Sequence, residues 1–269
     1  MVKKYLSLVK FSHTIFALPF AFIGFFMGLY FVAQQQSATM VEVLQQKQML
    51  QLFFLVLLCM VTARSAAMAF NRYLDRSFDA KNPRTAIREI PSGVIAASSA
   101  LRFVILNAVI FIAATYYINP ICFYLSPVAL FVILFYSYTK RFTALCHMVL
   151  GLGLSLAPIG AYLAVTGTFA ILPILFSCVV ICWVSGFDII YAMQDVDFDA
   201  SQNLHSIPTY LGKVNALKLS VLLHVVAAAL VIVAGVLAGY GYFYWEGALV
   251  FIGMLYYQHS IVSPSTKPS

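Results

Sequence analysis

Charge is scarce in this chain. Only 9% of its 269 residues are Asp, Glu, Lys or Arg, against 62% hydrophobic, and that shortage excludes a soluble globular domain, in which about a quarter of residues are charged. Paired cysteine is missing too. Cys59, Cys122, Cys146, Cys178 and Cys182 form no CxxC and no spacing suited to zinc, which leaves neither a disulfide framework nor a thiolate metal site. The apolar runs lack period-two alternation, so a β-barrel is disfavoured. What remains is a series of apolar runs near the ~20 residues that a helix needs to cross hydrocarbon. They fall at residues 11–33, 50–70, 103–118, 121–138, 148–165, 169–191, 217–238 and 242–262. The expected fold is therefore all-α, a polytopic transmembrane helical bundle of about eight spans whose backbone groups are satisfied within each helix.

Lys3, Lys4 and Lys10 precede the first run. That run is longer than the apolar region of a signal peptide and leads into further spans, so it is read as a retained first helix. If eight helices alternate, the basic residues gather on one side: the N-terminus, the 71–102 connection, the Lys140-Arg141 turn, the 192–218 connection and Lys267. The opposite connections carry only Lys47. The positive-inside rule makes the basic side cytoplasmic, with both termini there, in an inner (cytoplasmic) membrane. The net charge of +7 is thus a topology signal, and nucleic acid is not an expected partner.

The acids carry the functional signal. All six aspartates lie within 75–79 or 188–199, and carboxylates near a bilayer are costly unless paired or metal-bound. At ~100° per residue, Asn71, Asp75 and Asp79 lie within an arc of about 80° on one helix face, and Arg64 points into the same arc. Asp188, Asp195 and Asp199 fall within about 40° of one another if their helix continues, while Asp197 faces away. Carboxylates gathered in this way call for a hard cation, and Mg²⁺ is the natural choice because phosphate oxygens complete its shell. No His or Cys joins either cluster, which argues against zinc.

The connection after the first cluster supplies the complementary charge. Arg76, Lys81, Arg84 and Arg88 are closely spaced there, and such bases suit a diphosphate, with arginine offering forked hydrogen bonds and lysine a point charge. The bland alternative is that they set topology and pair with the acids. The two acidic segments end spans two and six, and each is followed by an Ile-Pro, Ile90-Pro91 and Ile207-Pro208. This echo suggests one membrane-embedded domain, 1–269, built from two four-helix halves at about 1–138 and 139–262.

These residues resemble the UbiA superfamily of intramembrane prenyltransferases. The resemblance rests on Asn71-x-x-x-Asp75-x-x-x-Asp79, on Asn82-Pro83-Arg84-Thr85 and the Arg88 to Gly93 segment, and on Asp195-x-x-x-Asp199 followed by His205 to Pro208. Two departures stand out. The family's first motif commonly has aspartate where this chain has Arg72, and the family typically has nine spans, so a final C-terminal helix is expected to be lacking. The resemblance implies Mg²⁺-dependent transfer of a polyprenyl group from polyprenyl diphosphate to an aromatic acid in quinone biosynthesis. Asn71, Asp75, Asp79, Asp195 and Asp199 would hold the metal, and the acceptor would be a 4-hydroxybenzoate or, alternatively, a dihydroxynaphthoate of a menaquinone route.

An allylic cation needs π-rich walls and exclusion of water. Tyr73, Tyr136, Tyr138, Phe187 and Tyr191 lie near the span ends where the diphosphate would sit, though packing or interfacial anchoring is the simpler explanation of each taken singly. For the acceptor carboxylate Arg64 is the leading candidate, with Lys140 and Arg141 behind it. A structural ion pair is the competing reading of Arg64. Asp188 and Tyr191 join the substrate-binding set, His13 and His205 are open as substrate contacts or structural histidines, and residues 80–91 are expected to form a lid over the diphosphate. From another class, an ion-coupled transporter would place its acids near the bilayer midplane rather than at span ends. A phosphatidyl-type transferase lacks its glycine-led acidic signature here.

Overall fold

The computed structural model describes residues 2–262, with only the backbone described for residues 2 and 11–16. His13, a candidate substrate contact, therefore has its side chain outside the described residues. The helices are α1 Val2–Leu8, α2 Phe11–Gln35, α3 Met40–Gln45, α4 Lys47–Asp79, α5 Ala97–Ile118 and α6 Pro120–Thr139, then α7 Cys146–Thr166, α8 Ile171–Ala192, α9 Val196–Ser201, α10 Ile207–Ala238 and α11 Tyr242–Ile261. No strand occurs among the described residues. The chain is an integral membrane protein, all-helical as expected.

Among the described residues seven helices are long and apolar enough to cross a membrane: α2 from Ala17 onward, α4, α5, α6, α7, α8 and α10. The eighth expected span, α11, falls short of that apolar measure among the described residues. It forms a helix of 20 residues, but Glu246, Gln258, His259 and its tyrosines dilute its apolar character. The apolar run at 217–238 lies within a longer helix. α10 begins at Ile207, where Ser206 caps it through the Thr209 N–H and Pro208 occupies the first turn, a position that needs no intrahelical donor. Gly212, at φ 75° and ψ 159°, then interrupts it, a backbone conformation that glycine reaches without a Cβ clash.

The chain divides into two compact units, residues 1–138 with 156–169, and residues 139–155 with 170–269. In the first unit α2 sets Ala21, Phe25 and Leu29 against Met49 and Val56 of α4 and Ala161 and Ala164 of α7. Farther along α4, Ala66 and Ala69 meet Ala100 and Val104 of α5, and Leu8, Val9, Ile90 and Ile95 close over the same cluster. The buried stretch of α4 is made of small residues, Thr62, Ala63, Ser65, Ala66, Ala67 and Ala69. Lipid supplies no hydrophobic drive between helices, so close backbone approach over small side chains is what holds such a pair.

The second unit follows the same rule. Val179 of α8 packs with Ala227 and Val231 of α10 and Ala248 of α11, and the Ser220 hydroxyl of α10 donates to the Gly186 carbonyl of α8 at 2.7 Å. Nearer the start of α10, Ile189, Ile207 and Ala216 form a further cluster.

Candidate active site

α4 has 33 residues. At ~1.5 Å per residue it measures about 50 Å, against about 30 Å of hydrocarbon, so its last turns project past the apolar stretch. Those turns carry the first acidic motif as one unbroken helix, as its spacing requires. Asp75 is 3% exposed and Asp79 6%, one turn apart, and the Asn71 amide one turn earlier donates to Asp75 Oδ2 at 3.3 Å. Two carboxylates are thus withdrawn from solvent on one helix face.

The connection from Ala80 to Ala96 is ordered by its own turns. The Asn82 side chain accepts the Arg84 N–H at 2.9 Å, and the Thr85 hydroxyl donates to the Asp79 carbonyl at 3.1 Å. Arg88 then reaches back to the acidic face, its Nη1 lying 2.8 and 2.9 Å from the two oxygens of Asp79. The structure therefore brings Arg88 to the first cluster. Arg76 is exposed and folds over its own helix, donating to the Tyr73 carbonyl at 2.6 Å with its guanidinium 4.5 Å from the Tyr73 ring centroid. Lys81 and Arg84 are exposed at the start of the connection.

Arg72 does not leave the motif's neighbourhood uncompensated. Its Nη1 donates to Glu89 Oε2 at 2.6 Å, and Glu89 Oε1 accepts the Ser7 hydroxyl from α1. Burial by itself would raise the Glu89 carboxyl, but the Ser7 hydroxyl, its own backbone N–H, Arg72 and Arg88 together hold it below the usual carboxylate range. Neither Glu89 nor Ser7 is a site candidate on sequence reasoning. The available signal was an unusual arginine in the acidic motif and a glutamate next to Arg88, which spacing alone does not join.

Arg64 lies within α4, and its Nε is shut off from solvent without a hydrogen-bond partner among the described residues. Tyr136 is within electrostatic range of both Arg64 and Arg72. Tyr73 and Tyr138 flank Phe70, with ring centroids 6.5 and 6.1 Å away.

The second acidic segment departs from a continuous helix. α8 ends at Ala192, and the N–H groups of Met193, Gln194 and Asp195 bond three residues back, to Ile190, Tyr191 and Ala192. Such bonds tighten and close a helix end. Asp195, at φ −106° and ψ 8°, then caps the separate helix α9. The shared face expected of Asp188, Asp195 and Asp199 is lost at this break. Asp195 and Asp199 remain joined locally, the Asp199 N–H bonding the Asp195 carbonyl at 2.7 Å, and Asp197 is exposed.

Asp188 instead meets a residue the sequence reading passed over. His147 of α7 is buried, and its Nδ1 lies 2.7 Å from Asp188 Oδ2, while the Ile207 N–H bonds its Nε2 at 3.3 Å. The basic turn joins the same end of this unit, because the His205 N–H donates to the Lys140 carbonyl at 2.7 Å and the Leu204 N–H to the Asp199 carbonyl at 2.9 Å. Lys140 and Arg141 are half-buried, His205 is exposed, and Phe187 and Tyr191 lie one turn apart on an exposed face of α8.

The oxygen donors of Asp75, Asp79 and Asn71 are hard and closely spaced, and they fit Mg²⁺ rather than a thiophilic ion. Among the described residues no three His, Cys, Asp or Glu side chains converge tightly enough to hold an ion unaided. Mg²⁺ takes one or two carboxylates and completes its shell from water and substrate phosphate.

Comparison with known proteins gives a consistent set of likenesses. The sequence model of the UbiA prenyltransferase family matches residues 17–269. A 4-hydroxybenzoate octaprenyltransferase of Shewanella halifaxensis is 30% identical over 213 residues, which are 79% of this chain and 74% of that protein. The apo structure of a UbiA homologue from Aeropyrum pernix superposes with a TM-score of 0.82 at 30% identity, covering 93% of this chain and 88% of the other. A UbiA homologue from Archaeoglobus fulgidus, solved with GPP and Mg²⁺, shares the fold at a TM-score of 0.73 and 20% identity, over 98% of this chain and 91% of its own.

Proposed function

This chain belongs to the UbiA prenyltransferase family, and from that premise we propose that it transfers a polyprenyl group from polyprenyl diphosphate to an aromatic acid of the 4-hydroxybenzoate class, with Mg²⁺ as cofactor. The observation that carries the reading is the pair of buried carboxylates, Asp75 and Asp79, one turn apart with Arg88 on Asp79. The 4-hydroxybenzoate octaprenyltransferase of Shewanella halifaxensis supports the acceptor class, and a homologue solved with GPP and Mg²⁺ supports the donor and the metal.

Asn71, Asp75, Asp79, Asp195 and Asp199 are the metal ligands in this proposal. Bound Mg²⁺ would neutralise the charge that develops on the departing diphosphate. Arg76, Lys81, Arg84 and Arg88 hold the phosphates, where planar guanidinium groups give bidentate contacts. Arg64 receives the acceptor carboxylate in this proposal, and Lys140 and Arg141 are the alternatives to it. Asp188 and Tyr191 contribute to the substrate side, Asp188 through its bond to His147. Tyr73, Tyr136 and Tyr138 wall the allylic cation off from water. The basic connections face the cytoplasm, with the N-terminus on that side.

The test is a product assay. Membranes containing the protein are incubated with a polyprenyl diphosphate and a panel of aromatic acids, and products are identified by mass. A prenylated 4-hydroxybenzoate is expected. A prenylated dihydroxynaphthoate alone would move the acceptor to the menaquinone route, and no prenylated product from any acid would overturn the proposal.

A further inference from the structure

Two consecutive residues of the 80–96 connection are tied to the same face of α4 at points about two turns apart. Arg88 contacts both carboxylate oxygens of Asp79, and Glu89 accepts Arg72 Nη1 at 2.6 Å. Arg72 and Asp79 are seven residues apart, or about two helical turns. The connection is therefore fastened along the length of the acidic motif rather than at one point. The Arg72–Glu89 pair is well shielded, with side-chain exposures of 5% and 15%.

The backbone around this fastening is also committed. The Ser92 N–H and hydroxyl both donate to the Arg88 carbonyl, at 3.0 and 2.7 Å, and the Ile95 N–H donates to the Glu89 carbonyl at 2.9 Å. Glu89 further receives the Ser7 hydroxyl of α1, and Ile90 and Ile95 sit in the apolar cluster with Leu8, Ala66 and Ala69. The 89–95 end is consequently a fixed foot. Upstream of it, Lys81, Arg84 and Ile87 are exposed. A fixed foot beside an exposed, basic arm is what presents Arg88 at a constant place on α4.

We propose that Arg72 and Glu89 are positioning residues for the donor diphosphate: their ion pair anchors the connection so that Arg88 is presented at the Asp79 carboxylate, where the phosphates arrive. The inference rests on the prenyl-transfer reading above. In the absence of donor, Arg88 offsets the charge of Asp79. When metal and diphosphate occupy that carboxylate, Arg88 turns to the phosphate while the foot stays in place. Arg72 thus works through Glu89 and Arg88 and touches neither metal nor substrate. Its positive charge, out of place in an acidic motif, is explained by this partner.

Steady-state kinetics on purified Arg72→Met, Glu89→Gln and the double variant separates this role from a purely structural one. Each single variant is expected to raise the KM for polyprenyl diphosphate about 10-fold, the low end of the loss when an outer-shell partner is removed. Its kcat and acceptor KM are expected to stay close to wild type. Loss of folded protein alone would lower kcat and leave the donor KM unmoved. The double variant is expected to be no worse than either single one, because each single change strands a charge that the double removes. The reversed pair, Arg72→Glu with Glu89→Arg, is expected to recover part of the donor affinity.

Unchanged donor KM in folded single variants overturns the inference, and so does strict additivity in the double. Wild-type protein is the internal control for the reading beneath it. If wild type turns over and these variants match it, the inference alone fails. If wild type releases no diphosphate with Mg²⁺ present, the prenyl-transfer reading itself fails.

Discussion

His147 Nδ1 donates to Asp188 Oδ2 at 2.7 Å while its Nε2 accepts the backbone N–H of Ile207 at 3.3 Å. The second bond fixes the tautomer, since a nitrogen that accepts leaves the other to carry the proton. One imidazole thereby joins α7, α8 and the first turn of α10. His147→Ala is expected to destabilise the protein by about 1–3 kcal/mol, the usual consequence of leaving buried polar groups unsatisfied. Asp188→Asn retains an acceptor and is expected to lose less. Thermal unfolding in detergent micelles checks the ranking, and equal losses would contradict it.

Glu89 makes a pH prediction. Its carboxyl is held below the usual range in the folded protein, so it binds fewer protons folded than unfolded as pH approaches its unfolded value. Its stabilising contribution is therefore complete above about 4.3, the value of an unperturbed glutamate, and is lost as pH falls through the lowered folded value. Wild-type protein is expected to lose stability in that acidic window, and Glu89→Gln to lose that component of the slope. An identical acid profile in the variant would contradict the assignment.

Gly24 is where α2 meets α7. A Cβ at this position would stand 1.8 Å from the Pro158 carbonyl oxygen, and backbone cannot turn aside as a flexible side chain would. Gly24→Ala is expected to cost at least the ~1–3 kcal/mol of an overpacked core, read as lost monodisperse protein after extraction. Gly253→Ala meets nothing within 4 Å and is expected to behave as wild type.

Substitution of Arg64 tests which of the two substrates the residue serves. Arg64→Ala is expected to raise the KM for the aromatic acid by about 10-fold or more, as loss of a charge-assisted hydrogen bond implies, and to change the donor KM less. Measurement of both KM values decides it, and the reverse ranking would assign Arg64 to the diphosphate.

Much of this was legible in the chain because lipid imposes simple rules. Apolar runs near 20 residues map onto helices, and Asn71, Asp75 and Asp79 share a face because α4 is unbroken past its apolar stretch. Where local hydrogen bonding overrode periodicity, the reading failed. The turn at 193–195 separates Asp188 from Asp195 and Asp199, and no spacing in the sequence announces it. Long-range partners were equally hidden: Glu89 meets Arg72 across 17 residues and His147 meets Asp188 across 41. The apolar run at 242–262 forms the helix α11, with Glu246, Gln258 and His259 diluting its apolar character.

The most direct test of the account is Mg²⁺-dependent diphosphate release by purified protein given a polyprenyl diphosphate and 4-hydroxybenzoate, compared with Asp75→Asn and Asp195→Asn. The account predicts that chelation stops wild-type turnover and added Mg²⁺ restores it. Each variant is predicted to fall by about 100-fold or more, the scale on which electrostatic stabilisation of a developing charge is lost, while remaining folded. Turnover that survives chelation, or near-wild-type release by either variant, would contradict it.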